Sequence, residues 1–290
     1  GGTPDISTSF DDNGNVRTVN RGGVNWTYSY HPQADLLTNE TLRLDGRTYS
    51  TSYAYDQNSA LKEMTYPSGR RVAFAPNGLG QATKAQHVND TVYASSISYH
   101  ANGTVHQMTR GNGRTLTQTL NSRQQISRMT NEAGFDWLYA YDKNGRITSI
   151  DSQWNNAHDR TFAYDGLGRL TSAVGPWGTE TYQYDALNNI RQRQYPGRTV
   201  IMQYDGNNRL NRYNDNAWRN FSYDSRGNVL GDGLLSYTYD LANQPTSVTG
   251  TGIGTRGVPT NSVGGNFTYD GNLKRVKQVL NGETIYSVYG

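Results

Sequence analysis

The sequence predicts an all-β fold laid out as one long antiparallel meander, and three observations carry that prediction. A Tyr-Asp motif recurs along the chain. Each recurrence is followed by a turn signal, and between turns the residues alternate large and polar instead of following helical spacing.

The motif is an aromatic or apolar residue, any residue, then Tyr-Asp. It stands at Tyr53-Ala54-Tyr55-Asp56, Tyr139-Ala140-Tyr141-Asp142, Phe162-Ala163-Tyr164-Asp165, Tyr182-Gln183-Tyr184-Asp185, Met202-Gln203-Tyr204-Asp205, Phe221-Ser222-Tyr223-Asp224, Tyr237-Thr238-Tyr239-Asp240 and Phe267-Thr268-Tyr269-Asp270. Weaker copies are Tyr28-Ser29-Tyr30-His31 and Ile97-Ser98-Tyr99-His100. Between Tyr141 and Tyr223 the steps are 23, 20, 20 and 19 residues, so one supersecondary unit is being repeated. Large residues precede each Asp at every second position. Val200, Met202 and Tyr204, for example, share one face of a strand.

After the Tyr comes Asp-x-x-Gly, from Asp142 to Gly145, Asp165 to Gly168 and Asp224 to Gly227, with Asp11 to Gly14 as an early copy. Asp first and Gly fourth is the preference of a type I turn completed by a left-handed residue, which closes a hairpin with a bulge. Asn188 and Asn208 take the fourth place after Asp185 and Asp205, and Asn tolerates that conformation best after Gly. Arg146-Ile147, Arg169-Leu170 and Arg209-Leu210 then open the next strand. A second signal lies halfway through each unit: Asp45-Gly46, Pro67-Ser68-Gly69, Asn112-Gly113, Pro176-Trp177-Gly178, Pro196-Gly197 and Asn281-Gly282. Asp-Gly and Asn-Gly suit type I′ hairpins, and Pro-Gly a type II turn.

Each unit is therefore two strands with turns at alternate edges. At roughly 10 residues per strand and turn the chain makes on the order of 28 strands, and at about 4.8 Å each they run about 130 Å. A twisted sheet of that length must curl, split or coil, and a coiled strip forms a hollow shell. Polar runs such as Arg191-Gln192-Arg193-Gln194 imply a wet interior. The expected organisation is one repeat region over residues 1–290. Its copies are degenerate over about 1–135 and regular over 136–248, an insertion loop spans about 249–265, and the last repeat covers 266–290. The insertion, Gly- and Thr-rich with Pro259, stretches the step from Tyr239 to Tyr269 to 30 residues and reads as a mobile loop.

Composition narrows the function classes. With no cysteine there are no disulfides, thiolate nucleophiles or Cys-containing zinc sites. A net charge of +3 and 22 tyrosines oppose disorder, and indicate a fold with a thin tyrosine-rich layer in place of a compact enzyme core. No basic block marks a nucleic-acid binder. Apolar runs such as Leu234-Leu235 are far too short to cross a bilayer as a helix. The chain opens Gly1-Gly2 with no signal peptide in view and reads as a piece of something longer.

On these motifs the chain resembles the Rhs or YD-repeat family, whose unit reads Tyr-Asp-x-x-Gly-Arg-Leu. Tyr164-Asp165-Gly166-Leu167-Gly168-Arg169-Leu170 fits at every position. Tyr141-Asp142-Lys143-Asn144-Gly145-Arg146-Ile147 fits with Ile last, and Tyr223-Asp224-Ser225-Arg226-Gly227-Asn228-Val229 is looser. The style is most similar to bacterial Rhs polymorphic toxin cores, and the segment from Asn281 to Tyr289 is similar to one just upstream of the end of such cores. The resemblance implies a spiralling β-shell, a cocoon that holds a C-terminal toxin polypeptide of the same gene product. The toxin would be exported from a bacterium by type VI secretion or a toxin-complex route, in interbacterial competition. It implies as partners the remaining shell segments and a secretion spike or chaperone. The family's Asp-Pro autoprotease motif and its preceding His-x-Asp-x-x-Gly-Ser-Pro segment are not in this sequence, so self-cleavage is not expected of these residues.

No catalytic, cofactor-binding or metal-binding residue is expected. The Asp side chains could suggest calcium, but the first turn position gives each a local role accepting backbone amides, and the loops lack several carboxylates apiece. His31, His87, His100, His106 and His158 show no His-x-x-x-His spacing, and two of them stand where Asp stands elsewhere, so they read as turn or surface residues. No Gly-x-Ser-x-Gly elbow is present, and Gly166-Leu167-Gly168 and Gly252-Ile253-Gly254 lack the strand-to-helix setting of a phosphate loop. The residues expected to matter are those of the turns: Tyr141, Asp142, Gly145, Arg146, Tyr164, Asp165, Gly168, Arg169, Tyr184, Asp185, Asn188, Tyr204, Asp205, Asn208, Tyr223, Asp224, Gly227, Tyr239, Asp240, Tyr269 and Asp270. Tyrosines at matching positions of successive hairpins are expected to stack into ladders. Of Trp26, Trp137, Trp154, Trp177 and Trp218, Trp177 at a turn tip is the candidate for an exposed contact, and it keeps a carbohydrate-binding surface module open as the alternative function.

Overall fold

The computed structural model describes residues 4–89, 91–132, 134–253 and 259–289. Among them 28 strands follow one another, interrupted by one helical turn, the 3-10 segment Asn156–His158. Hydrogen bonding gathers the strands into a sheet of 21 and a sheet of seven. Sequence neighbours pair antiparallel, as Phe135–Tyr141 does with Ile147–Ser152, and Arg160–Tyr164 with Leu170–Gly175. This is the meander the repeats predict.

The register explains why the Tyr-Asp motif marks the end of a strand. At the motif's tyrosine the ladder shifts by one residue: Ala140 faces Ser149 but Tyr141 faces Ile147, and Ala163 faces Ser172 but Tyr164 faces Leu170. The same shift occurs at Tyr30, Tyr184, Tyr223, Tyr239 and Tyr269. One extra residue on the outgoing strand is a β-bulge, and the left-handed Gly168 (φ 82°) two residues before Leu170 lets the loop close onto it.

Halfway turns follow their sequence signals in most cases. Asp45 and Gly46 both take positive φ, as do Asn281 and Gly282, which is the type I′ pattern. Asn112-Gly113 departs from the expected type I′ turn. Only Gly113 has positive φ, and the amide of Gly113 donates to the Arg110 carbonyl while that of Arg110 donates to Arg114, so this turn is a bulged type I loop like those after Tyr-Asp. The Asn112 side chain accepts the Arg114 amide, and that bond favours the bulged form.

The repeat region divides into two compact units, residues 1–55, 64–70 and 203–290 in one, and 56–63 and 71–202 in the other. The first has a true core. Val19, Val24, Trp26, Leu42 and Leu44 from the N-terminal hairpins close over Val276 from the strand Arg275–Leu280, with Tyr28, Tyr49, Tyr286 and Val288 packed around them. In the second unit burial is sparse, with Val72, Leu116 and Ala173 the buried apolar residues and Asn131, Asp136 and Ser152 buried polar ones. Its strands alternate by face. Glu180, Tyr182 and Tyr184 are half-buried on one side of Gly178–Tyr184, while Gln183 on the other is exposed and pairs with Gln192. Val200 and Met202 likewise share the half-buried side and Ile201 is exposed, as the period of two requires.

Residues 249–265, expected as an insertion loop, instead lengthen a hairpin. The strands Pro245–Ile253 and Pro259–Tyr269 pair from Ser247 opposite Asn266 to Ile253 opposite Pro259. Threonine favours the pleated ladder, so the Thr-rich stretch extends it. The central residues 254–258 lie outside the described residues.

Candidate functional site

The repeated element is a side-chain lattice centred on the aspartate. The Asp142 amide donates to the Arg146 carbonyl, and its own carbonyl accepts the Gly145 amide. One carboxylate oxygen, Oδ1, accepts the amides of Asn144 (2.8 Å) and Arg146 (3.0 Å), and Oδ2 accepts the Arg146 guanidinium at 2.7 Å. Asp165 holds Leu167 and Arg169 in the same way, and Asp205 holds Asn207 and Arg209. At Asp185 and Asp224 the arginine's place is taken by the amides of Asn189 and Asn228. The carboxylates' lone pairs are thus spent on the turn itself, which is the expected local role.

These bonds hold the carboxyls below their usual range. For Asp142, Asp165 and Asp205 the largest lowering influence is the backbone amide of Arg146, Arg169 and Arg209 respectively. For Asp185 and Asp224 it is the side-chain amide of Asn189 and Asn228.

The arginine and the tyrosine then link one repeat to the next. The Tyr164 hydroxyl donates to the Ile147 carbonyl at 2.8 Å, Tyr184 to Leu170 at 2.8 Å, and Tyr223 to Leu210 at 2.7 Å. The acceptor each time is the residue that follows the previous repeat's turn, whose carbonyl the bulge has turned out of the ladder. Arg146, anchored by Asp142, lies over the Tyr164 ring at 4.7 Å. Arg169 lies over Tyr184 at 4.6 Å and Arg209 over Tyr223 at 4.8 Å. The ladder expected of tyrosine on tyrosine is, at these repeats, one of tyrosine and arginine.

Degenerate copies keep the wiring with other atoms. Asn77 and Asn121 accept turn amides through Oδ1, as Asp does. His31 and His87 do so through Nδ1. Tyr30, Tyr55, Tyr99 and Tyr141 bond back to the carbonyls of Val16, Leu37, Ala82 and Ile126.

Two turns of the first unit lack an arginine or asparagine at the fifth position, having Gln244 after Asp240 and Lys274 after Asp270. Arg21, from the strand Val16–Arg21, supplies the missing guanidinium. Its Nη2 pairs with Asp240 Oδ2, and its Nη1 donates to Gln244 Oε1 (2.6 Å) and to the Asp270 carbonyl (3.2 Å). Trp26 Nε1 donates to Asp270 Oδ2 at 2.9 Å. Asp270 is fully buried and Arg21 is 4% exposed. Nearby, Lys277 and the Tyr286 hydroxyl both bond Asp45. Sequence reasoning placed Asp240 and Asp270 as ordinary turn residues and missed this junction. Its only trace in the sequence is the departure at Gln244 and Lys274.

Trp177 stands at its turn and is 43% exposed, with its ring lying against Gly175, where a Cβ would come within 2.6 Å of it. A shallow cleft in the first unit is lined by Asp11, Arg17, Tyr30, His31 and Asp35, and Asp35 there accepts the side chains of Asn13 and Asn15.

The family model described as Teneurin YD-shell matches residues 145–253. A Tc holotoxin pore of Photorhabdus luminescens, carrying a substitution in its TccC3 component, is similar over 96% of this chain and 19% of its own, at 15% identity and a TM-score of 0.60. The chain has the fold of a YD-repeat shell. Its fold is also that of part of TcdB2-TccC3, over 97% of this chain and 21% of the other at 16% identity and a TM-score of 0.55. TcdB2-TccC3 without its hypervariable C-terminal region aligns with a TM-score of 0.59 at 15% identity, over 96% and 19% of the two chains. The YD-repeat chain spans about a fifth of the length of these structures' chains. No curated protein matches it.

Proposed function

We propose that this chain is a non-enzymatic section of an encapsulating β-shell, which holds and shields a toxin polypeptide of the same gene product during export from a bacterium. The observation that carries the reading is the inter-repeat lattice. At the regular repeats the carboxylate closes its own turn and anchors the arginine, and the arginine and the next tyrosine join hairpin to hairpin, as at Asp165, Arg169 and Tyr184. Such wiring suits a wall. The likeness to Tc toxin structures supports the same reading. Delivery by type VI secretion, a spike or chaperone partner, and a role in interbacterial competition belong to this proposal.

The test is containment. The natural polypeptide that includes this chain would be purified under native conditions and treated with protease. Survival of its toxin segment until the shell is denatured supports encapsulation, whereas rapid digestion of that segment from an intact shell removes it. The second reading, a carbohydrate-binding surface module, draws on the exposure of Trp177. It requires saturable glycan binding that Trp177→Ala weakens.

A further inference from the structure

The second unit holds an arrangement of imidazoles that the repeat lattice does not use. His100 stands at the turn position where Asp stands elsewhere, and His106 lies at the bulge of the neighbouring strand Val105–Arg110, where Val105 faces Tyr99 and Gln107 faces Ser98. Their ring centroids are 4.8 Å apart and the rings are inclined at 66°. On the far side, Gln107 faces Thr117 and Met108 faces Leu116 in the strand Thr115–Leu120. Continued by one residue, that register sets His106 opposite Gln118, so their side chains share a face.

The tautomer of His100 is fixed by its neighbour. His100 Nε2 lies 2.8 Å from the Gln118 carbonyl oxygen. A carbonyl only accepts, so Nε2 carries the proton and Nδ1 keeps its lone pair. At His31 and His87 the equivalent Nδ1 accepts a turn amide, from Gln33 at 3.3 Å and Asn89 at 3.0 Å. In the His100 turn the later amide, that of Thr104, goes to Asn102 Oδ1 at 3.0 Å, and among the described residues no amide bonds His100 Nδ1. His106 Nδ1 sits 3.4 Å from Ser98 Oγ, and with Nδ1–H donating to that hydroxyl Nε2 carries the lone pair. An imidazole whose second nitrogen is held by a backbone carbonyl or hydroxyl is the arrangement that orients metal-ligating histidines.

Two further facts point to an ion. The side-chain oxygen Oε1 of Gln118 is buried and has no hydrogen-bond partner among the described residues, so its lone pairs are open to a ligand. With a Zn–N distance of about 2.1 Å and about 1.1 Å more to each ring centre, two imidazoles at a near-tetrahedral angle on one ion have centroids about 5 Å apart. The observed centroid spacing of 4.8 Å is close to that value.

We propose that His100 Nδ1, His106 Nε2 and Gln118 Oε1 form a site for a borderline divalent transition-metal ion of the Zn2+ class, completed by water. Imidazole nitrogen with a neutral oxygen suits such an ion and disfavours calcium, which takes six or more oxygens. The ion ties together the strands Val92–Tyr99, Val105–Arg110 and Thr115–Leu120, acting as a clip in a unit with little buried apolar surface.

The test is Zn2+ titration of the tag-free chain by calorimetry, with thermal unfolding before and after a chelator. One saturable site per chain is expected, with a higher melting temperature when loaded. His106→Ala, at an exposed position, should weaken binding by at least about tenfold, and Gln118→Glu, which adds a negatively charged oxygen at the same point, should tighten it by about tenfold. Absence of saturable binding to the wild-type chain overturns the site, as does unchanged affinity in His106→Ala. Unchanged affinity in Gln118→Glu overturns the three-ligand arrangement. The tightening variant reads a gain, which a loss of folding does not mimic.

Discussion

The Tyr164 hydroxyl reaches back across one repeat to the Ile147 carbonyl at 2.8 Å, while Arg146, next to Ile147 in the chain, lies over the Tyr164 ring. One tyrosine thus meets both chemical features that the preceding turn exposes, an outward carbonyl and an anchored guanidinium. This explains why the repeat ends in Arg followed by an apolar residue. The pair is the attachment point for the next hairpin's tyrosine.

The hydroxyl's contribution is separable from the ring's. Tyr164→Phe keeps the ring under Arg146 and leaves the Ile147 carbonyl without its donor. The expected loss of stability is about 1 kcal/mol, read from the urea midpoint with an unchanged slope. Tyr184→Phe should cost about the same through Leu170. No loss in either variant would show that water replaces the hydroxyl at no cost.

Arg21 ties residues more than two hundred positions apart in sequence, and both partners of its ion pair with Asp240 are almost wholly buried. Removing one partner leaves a buried charge uncompensated, so Arg21→Ala is expected to cost about 3–5 kcal/mol. Arg21→Ala combined with Asp240→Asn should cost less than the two single changes added together, because the second removes the charge that the first strands. Additive losses would mean that the two side chains do not act as a pair.

Backbone strain gives a prediction in the opposite direction. Leu273 fills the left-handed position of its turn at φ 63°, where most other repeats have Gly or Asn, and its side chain is 48% exposed. Leu273→Asn should therefore stabilise the first unit by about 1 kcal/mol, the usual penalty of a side chain in that region. Gly168→Val is the converse. At φ 82° a β-branched residue is strained, and its Cβ would meet Arg146 Nη1 at 3.0 Å. A loss of roughly 1–3 kcal/mol is expected, and unchanged thermal unfolding would contradict the turn geometry.

Much of this was legible because turns are local. Asp165 and Gly168 announce their loop by themselves, since an Asx turn and a left-handed residue need no distant partner. The link from Tyr164 to Ile147 was not legible, because a hydroxyl's acceptor lies on another hairpin and periodicity says only that the tyrosines align. Arg21 was hidden for a stronger reason. Nothing near it in sequence distinguishes it from the chain's other arginines, and the vacancy it fills is marked only by Gln244 and Lys274. The stretch from Thr249 to Gly265 read as a loop because its length broke the period, although Thr-rich sequence is compatible with a longer ladder. At Asn112 the dipeptide rule for hairpins lost to a side-chain bond with the Arg114 amide.

The turn carboxylates set the acid limit of the fold. Asp142, Asp165 and Asp205 titrate below the usual 3.8 in the folded chain, because the amides of Arg146, Arg169 and Arg209 stabilise the charged form. A folded-state value below the unfolded one means that the unfolded chain takes up protons first as pH falls. The stabilisation is thus complete above the ordinary carboxylate range and is lost as pH drops through the folded-state values. On the alkaline side the sign reverses. Tyr237 is pushed up to about 12, first by burial and then by its bond to Asp232, so its contribution is complete below its ordinary value of 10.0 and is lost as pH rises toward 12. The melting temperature should therefore be flat with respect to these groups near neutrality and fall below about pH 4 and above about pH 10. Asp165→Asn should flatten part of the acid limb and leave the alkaline one unchanged, whereas Tyr237→Phe should do the reverse. An acid limb that Asp165→Asn leaves untouched would move the proton-linked unfolding away from the repeat turns.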